Sequence, residues 1–387
     1  MNKRIEQLDS LRGLAALTVV MNHLPLSAMG LPILVLGVFR WTGINYGHGA
    51  VMLFFVLSGF VLSLPFLKKK GVDYFPYVIK RFFRIYVPYI FGIALAIVLS
   101  QIFYQEQPDV GSYENMLWIT AVSKDLIIEH LYFLGNIHSN AFNGVIWSLI
   151  HELRISLIFP FIVLLILRLN WKVNLIMCMC LSGISGLNNI FTFQDSNGNY
   201  LTYFHSIHYI SLFILGGLLA KHRKVIIDVY KELNYSFKWL ILIASYLVYN
   251  FSELVIGKVY EITGFGIIST YFFIILEYGV AIGALGFMIS AMGSSRVQKF
   301  LMAKPIVFFG KISYSLYLYH LPVILVLIYV LHEVLPLWVI SILAFPIIIG
   351  VSAVAWFLIE KPSIKIGRIL AGYVKNKQIL ISSKKTA

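Results

Sequence analysis

Residues 8–26 read "LDSLRGLAALTVVMNHLPL", an apolar run with an arginine near its start and a histidine eleven residues later, at Arg12 and His23. A stretch of this kind has the length of a membrane-crossing helix, since a bilayer core of about 30 Å needs roughly 17 to 25 apolar residues. Eleven helical residues turn through about 1100°, or about 20° past three full turns, so Arg12, His23 and also Asp9 share one face. At about 1.5 Å per residue His23 lies about 16 Å from Arg12 along the axis, which places it near the bilayer midplane. An ionisable group at that depth costs about 2.5–3.5 kcal/mol when charged and faces a protein interior or a watery cavity.

The rest of the chain repeats the pattern. Of the 387 residues 59% are hydrophobic and only 12% charged, with a mean hydropathy of +0.83, which excludes an ordinary soluble globular domain. Apolar windows occur at 11–31, 48–67, 85–104, 145–168, 173–188, 204–220, 239–251, 267–292, 307–331 and 337–359. With the N-terminus in the cytoplasm, 27 of the 31 Lys and Arg residues fall on the inner side, leaving Arg40, Lys124 and Lys258 outside and Arg154 inside a span. That asymmetry is the positive-inside rule. It predicts an all-α, multi-pass inner- or plasma-membrane protein of about ten transmembrane helices around a polar central chamber, with both termini cytoplasmic.

The net charge of +14 is therefore assigned to topology and anionic membrane lipid, with no nucleic-acid partner. The first apolar stretch lacks a small-residue cleavage site and is expected to be a retained helix. Residues 1–360 form the transmembrane domain and 361–387 a basic cytoplasmic tail. Cys178 and Cys180 share one window at neither zinc nor disulfide-framework spacing and read as packing residues. The segment 105–144 holds a semi-apolar piece and the polar turn "GNIHSNAFNG", and is expected to fold back as a partial cover.

Two further spans bring ionisable residues to the depth of His23. In "NGVIWSLIHELRISLIFPF" (143–161), Ser148, Glu152 and Ser156 repeat every four residues and form a polar stripe. His151 and Arg154 point elsewhere, and Arg154 should pair with a carboxylate or a backbone carbonyl. In "GKISYSLYLYHLPVILVLI" (310–328), Ser313, Tyr317 and His320 share a face. His320 also fits a simple interhelical hydrogen-bonding role. Asn22, Ser58 and Glu277 lie at similar depth; Glu277 reads as structural, and Gly59, Gly216 and Gly217 as close-packing sites. In the cytoplasmic segment "KKKGVDYFPYVIKRFFRIYVPYI" (68–90), Arg81 and Arg84 share a helix face, where they form either a phosphate clamp or a routine topological anchor.

Taken together, "LDSLRGLAALTVVMNH", "FFVLSGFVLS", "KRFFRIYVPY", "WSLIHELRISLIFP", "ISYSLYLYHLPV" and "WFLIEKP" resemble the membrane acyltransferases of family 3, which O-acylate bacterial surface carbohydrates. The likeness runs through nearly the whole chain. It implies that His23 is the essential histidine accompanied by Arg12, that Arg81 and Arg84 belong to the acyl-donor site, and that Glu152 is the acidic residue of its segment. Many members carry a fused extracytoplasmic hydrolase-like domain, and the short tail here implies a stand-alone membrane domain.

The expected reaction is O-acetyl transfer from cytoplasmic acetyl-CoA, or another acyl-CoA, to a hydroxyl of a surface or exported glycan, through direct attack or a covalent intermediate. Catalysis is assigned to His23 and Glu152, acyl-CoA phosphates to Arg12, Arg81 and Arg84, and contacts with the glycan acceptor to Ser148, Tyr317 and His320. Acyl-CoA is a co-substrate, and no tightly bound cofactor or metal is expected. The competing reading is a transporter or flippase of a glycan precursor, because a midplane polar chamber also suits a carrier.

Overall fold

The structure is a computed structural model describing residues 5–24, 37–38, 41–67, 73–103, 117–118, 120–264 and 266–386. The helices are α1 (Glu6–His23), α2 (Gly47–Ser63), α3 (Tyr74–Phe103), α4 (Lys124–Leu131), α5 (Trp147–Arg168), α6 (Trp171–Phe191), α7 (Tyr203–Glu232), α8 (Tyr235–Thr263), α9 (Gly266–Gly293), α10 (Ser295–Leu301), α11 (Lys304–Leu331), α12 (Leu337–Ala355) and α13 (Lys361–Thr386). No strand occurs among the described residues.

The apolar windows from 48–67 to 337–359 each overlap one of these helices, and the window 11–31 overlaps α1 as far as His23, its residues 25–31 lying outside the described residues. Among the described residues, seven stretches are long and apolar enough to cross a bilayer: Tyr74–Phe103, Gly144–Arg168, Trp171–Phe191, Tyr235–Thr263, Thr270–Gly293, Lys304–Leu331 and Leu337–Gln378. Gly47–Ser63 is a shorter apolar helix. The protein is thus an all-α, multi-pass membrane protein. The two shortest windows, 173–188 and 239–251, belong to the 21-residue α6 and the 29-residue α8. Helix α1 carries Glu6, Asp9 and Arg12 within 18 residues, and its neighbours are α11 and α2.

Burial ranks the helices by position. The apolar window of α11 is 72% buried and that of α8 only 11%, so α11 forms the middle of the bundle and α8 turns its apolar side outward. Small residues let α1 reach α11: a Cβ on Gly13 would overlap the backbone of Phe309 and Gly310, and one on Gly310 would lie 2.7 Å from the Asp9 carbonyl. Small-residue contacts of this kind bring helix backbones together where lipid supplies no hydrophobic drive. Gly59 and Gly216 make the equivalent crossing of α2 with α7, each facing the other helix's backbone.

Two segments have more structure than their composition suggests. The basic tail is the helix α13, joined to α12 by a π-turn at Trp356–Glu360 and packed along α3. Ser363 bonds the Phe83 carbonyl and Lys375 pairs with Asp73 at 2.8 Å. Of the segment 105–144, for which a cover is predicted, residues 105–116 and 119 lie outside the described residues, and the described part packs against the bundle. Trp118 donates from Nε1 to the Phe142 carbonyl at 2.8 Å, and Asn143 donates from Nδ2 to the Leu318 carbonyl of α11 at 2.9 Å, which pins the polar turn into the bundle.

Candidate active site

Two cavities meet inside the bundle, and Tyr317 of α11 lines both. The first, about 40 Å³, is lined by Arg12, Arg84, Glu152, Ser58, Ser148 and Ser313 among others. The second, about 250 Å³, is lined by His23, Asn22, His48, Trp147, Asn199, Tyr200 and Glu253 among others. Helical spacing separates the two: Arg12 and His23 lie on one face of α1 at opposite ends, so each reaches a different cavity.

Beside the arginine cavity, Arg81 of α3 places Nη1 3.9 Å from Oε1 of the lining Glu152, which also accepts from Ser58 Oγ at 3.3 Å. Arg12 lies 4.0 Å from Asp9 on its own helix. The polar stripe on α5 and the Arg81, Arg84 face of α3 are thereby brought together with Arg12. Glu152 lines this cavity and not the one around His23, and its carboxylate lies beside Arg81.

His23 is the last residue of α1. Its Nδ1 lies 2.9 Å from the Val19 carbonyl one turn back and 3.3 Å from Nε2 of His320. A carbonyl only accepts, so Nδ1 carries the proton in the neutral ring, and Nε2 holds the basic lone pair. His320 in turn donates from Nδ1 to the Leu316 carbonyl at 3.1 Å, which leaves its Nε2 to accept from His23. His320 is fully buried and lines neither cavity. Its ring packs against His23, the contact that an interhelical role predicts.

The wall between the cavities is a short hydrogen-bonded chain. The Tyr317 hydroxyl donates to the Val145 carbonyl at 2.8 Å and accepts from Ser148 Oγ at 2.7 Å. Ser148 thus lines the arginine cavity alone, while Tyr317 faces both. Asn22 accepts from the Gly47 N–H at 3.3 Å through Oδ1, so its amide N–H₂ is the group left for the histidine cavity.

Two further polar residues of α5, Arg154 and His151, tie neighbouring loops to the bundle. Arg154 donates to the carbonyls of Leu134, Gly135 and Leu201 at 2.9, 2.5 and 3.0 Å, fulfilling the backbone-carbonyl option. His151 spans Ser206 Oγ and the Tyr200 carbonyl, both at 2.8 Å. In that loop, burial and the charge of Glu277 push the Tyr200 hydroxyl above its ordinary value, so it stays protonated and able to donate.

Several cavity residues escaped the sequence reading, His48 the most polar-networked among them. His48 at the start of α2 lines the histidine cavity and is held by Glu277 of α9 at 2.8 Å. The available signal was Glu277 itself, since a carboxylate in an apolar helix requires a partner.

Comparison with known proteins agrees with the sequence resemblance. The acyltransferase domain family matches residues 5–359. Proteins named O-acetyltransferase OatA from Staphylococcus aureus strains NCTC 8325 / PS 47, COL and MRSA252 are each 24% identical over 347 residues, covering 82% of this chain and 50% of theirs. The chain thus spans about half the length of the curated relatives it matches. No solved structure matches it.

Proposed function

The chain belongs to the acyltransferase-3 family, and on that premise we propose that it is an integral-membrane O-acyltransferase carrying an acetyl group from cytoplasmic acetyl-CoA, or another acyl-CoA, to a hydroxyl of a surface or exported glycan. The observation that carries this reading is the pair of cavities joined at Tyr317, arginines on one side and a histidine on the other. Acyl-CoA is polyanionic, and guanidinium groups make charge-assisted bonds to phosphate. Arg12 and Arg84 would hold the donor on the cytoplasmic side, with Arg81 kept in place by Glu152. The termini are then cytoplasmic and the histidine cavity receives the acceptor from the outer side.

In direct transfer, Nε2 of His23 takes the proton of the acceptor hydroxyl while its oxygen attacks the thioester carbonyl carbon. The carbon–sulfur bond breaks, the ester forms, and the departing thiolate takes the proton back from His23. His320 supports the ring through the Nδ1 side. The Asn22 amide offers a donor to the oxyanion of the tetrahedral intermediate. The thioester must pass the Tyr317 wall, and the arginine cavity is narrow enough that this wall has to part for it.

Purified protein in nanodiscs is expected to transfer acetyl groups, and Arg84→Ala should raise the KM for acetyl-CoA about 10- to 100-fold, the loss of one or two charge-assisted bonds. A wild-type protein that neither binds nor turns over acyl-CoA would overturn the reading in favour of a carrier. Tyr317→Phe removes the hydroxyl linking Ser148 to Val145. Its expected effect is a several-fold increase in acetyl-CoA hydrolysis relative to transfer, measured as free CoA against acylated product; an unchanged ratio would mean that Tyr317 does not separate donor from water.

A further inference from the structure

Beside His23, the histidine cavity holds a second imidazole that the reaction above does not use. His48 lies on α2, and its side chain is 23% exposed. Its Nε2 lies 2.8 Å from Oε1 of Glu277, a carboxylate only 4% exposed in its side chain. The other carboxylate oxygen lies 2.8 Å from Nε2 of His208, which is 2% exposed. His208 Nδ1 is 2.8 Å from Ser182 Oγ, and the Tyr209 hydroxyl donates to Glu277 at 3.4 Å.

This arrangement fixes the ring. A carboxylate only accepts, so Nε2–H of His48 is the donor to Glu277. In neutral His48 the remaining polar atom is Nδ1, an acceptor. The ring also has aromatic neighbours, Trp147 stacked at 6.1 Å and 18° and Tyr200 tilted at 5.5 Å. A buried carboxylate with two histidines and a tyrosine is costly to assemble in an apolar bundle. His48 is the member of that network that reaches the cavity.

We infer that His48 is the acceptor-positioning residue of this cavity: with its ring locked by Glu277, its Nδ1 accepts a hydrogen bond from a second hydroxyl of the sugar whose reacting hydroxyl gives its proton to His23. The inference rests on the proposed function and deepens it. A volume of about 250 Å³ lies just below the range of drug-sized pockets, roughly 300–1,000 Å³, and suits one sugar ring with at least two free hydroxyls. Trp147 and Tyr200 offer the aromatic surface against which the ring's apolar edge packs.

The test uses the full chain in nanodiscs with acetyl-CoA and, as probe acceptors, methyl β-D-glucoside, methyl N-acetyl-β-D-glucosaminide and their monodeoxy forms. Wild type should lose about tenfold or more in kcat/KM on one monodeoxy form that keeps the acylated hydroxyl, the size of one hydrogen bond. His48→Ala should raise the acceptor KM on the parent sugar by a similar factor and no longer distinguish the two sugars. His48→Asn, which keeps an acceptor near the Nδ1 position, should recover part of the discrimination, and His48→Gln, which keeps the Glu277 contact, should not. The opposite order, with Gln restoring activity at unchanged sugar preference, would overturn the inference and make His48 a structural partner of Glu277. Transfer by wild type with equal preference in all variants removes only this inference, whereas a wild type that transfers nothing removes the proposed function and this inference with it. Thermal unfolding of each variant identifies any that fail to fold.

Discussion

Gly13→Val is expected to unseat α1. The new side chain would occupy the backbone of Phe309 and Gly310, and backbone cannot rotate aside as a flexible side chain can. Overpacking in a close-packed interior costs about 1–3 kcal/mol or more, and here the strain falls on the α1–α11 crossing, farther along which His23 comes within 3.3 Å of His320. The variant should solubilise poorly, unfold at lower temperature and lose its activity even though it retains every polar residue of the site. Gly183→Ala is the matched control, because a Cβ there meets nothing within 4 Å; in a helix the change should be neutral or stabilising by up to about 1 kcal/mol. Equal melting curves for Gly13→Val and wild type would show that the α1–α11 crossing is looser than described.

Why the helices were legible and part of the site was not follows from the same physics. A membrane forces each crossing segment to satisfy its own backbone, so an apolar window and a helix coincide. The same logic made Arg12, His23 and Glu152 stand out, since a polar residue in such a window needs a reason. Which residues touch was harder to see. Helical period put Arg12 and His23 on one face, yet whether they serve one cavity or two depends on Tyr317, a residue of another helix. Depth alone set Glu152 level with His23, whereas the sideways approach of α3 placed it beside Arg81.

His48 shows the same limit more sharply. It sits at the first turn of α2, where a histidine in "NYGHGAV" reads as an interfacial residue. Only the packing of α2 against α7 and α9 brings it to Glu277. The tail posed a different problem: Lys and Arg dominate the impression left by 361–387, but Ser363, Gly367 and Ala371 recur every four residues and form a small-residue stripe that α3 covers.

His23→Ala should remove the transfer reaction. The variant loses the ring whose Nδ1 is bonded to Val19 and with it the Nε2 base; general-base catalysis by such a group contributes about 10²–10⁴-fold. The cost to folding should be small by comparison, because His23 ends its helix and is only half-buried. His320→Ala should cost less than His23→Ala, since it removes the support behind the base and leaves the base itself.

The most direct test of the account is acetyl transfer from acetyl-CoA by the purified protein in nanodiscs, comparing wild type with His23→Ala at matched thermal stability. Transfer by wild type, with a loss of at least about a hundredfold in the variant, is the predicted result. Transfer that proceeds equally without His23 would reduce the ring to a hydrogen-bonding strut, and the assignment of the two cavities to donor and acceptor would fall with it.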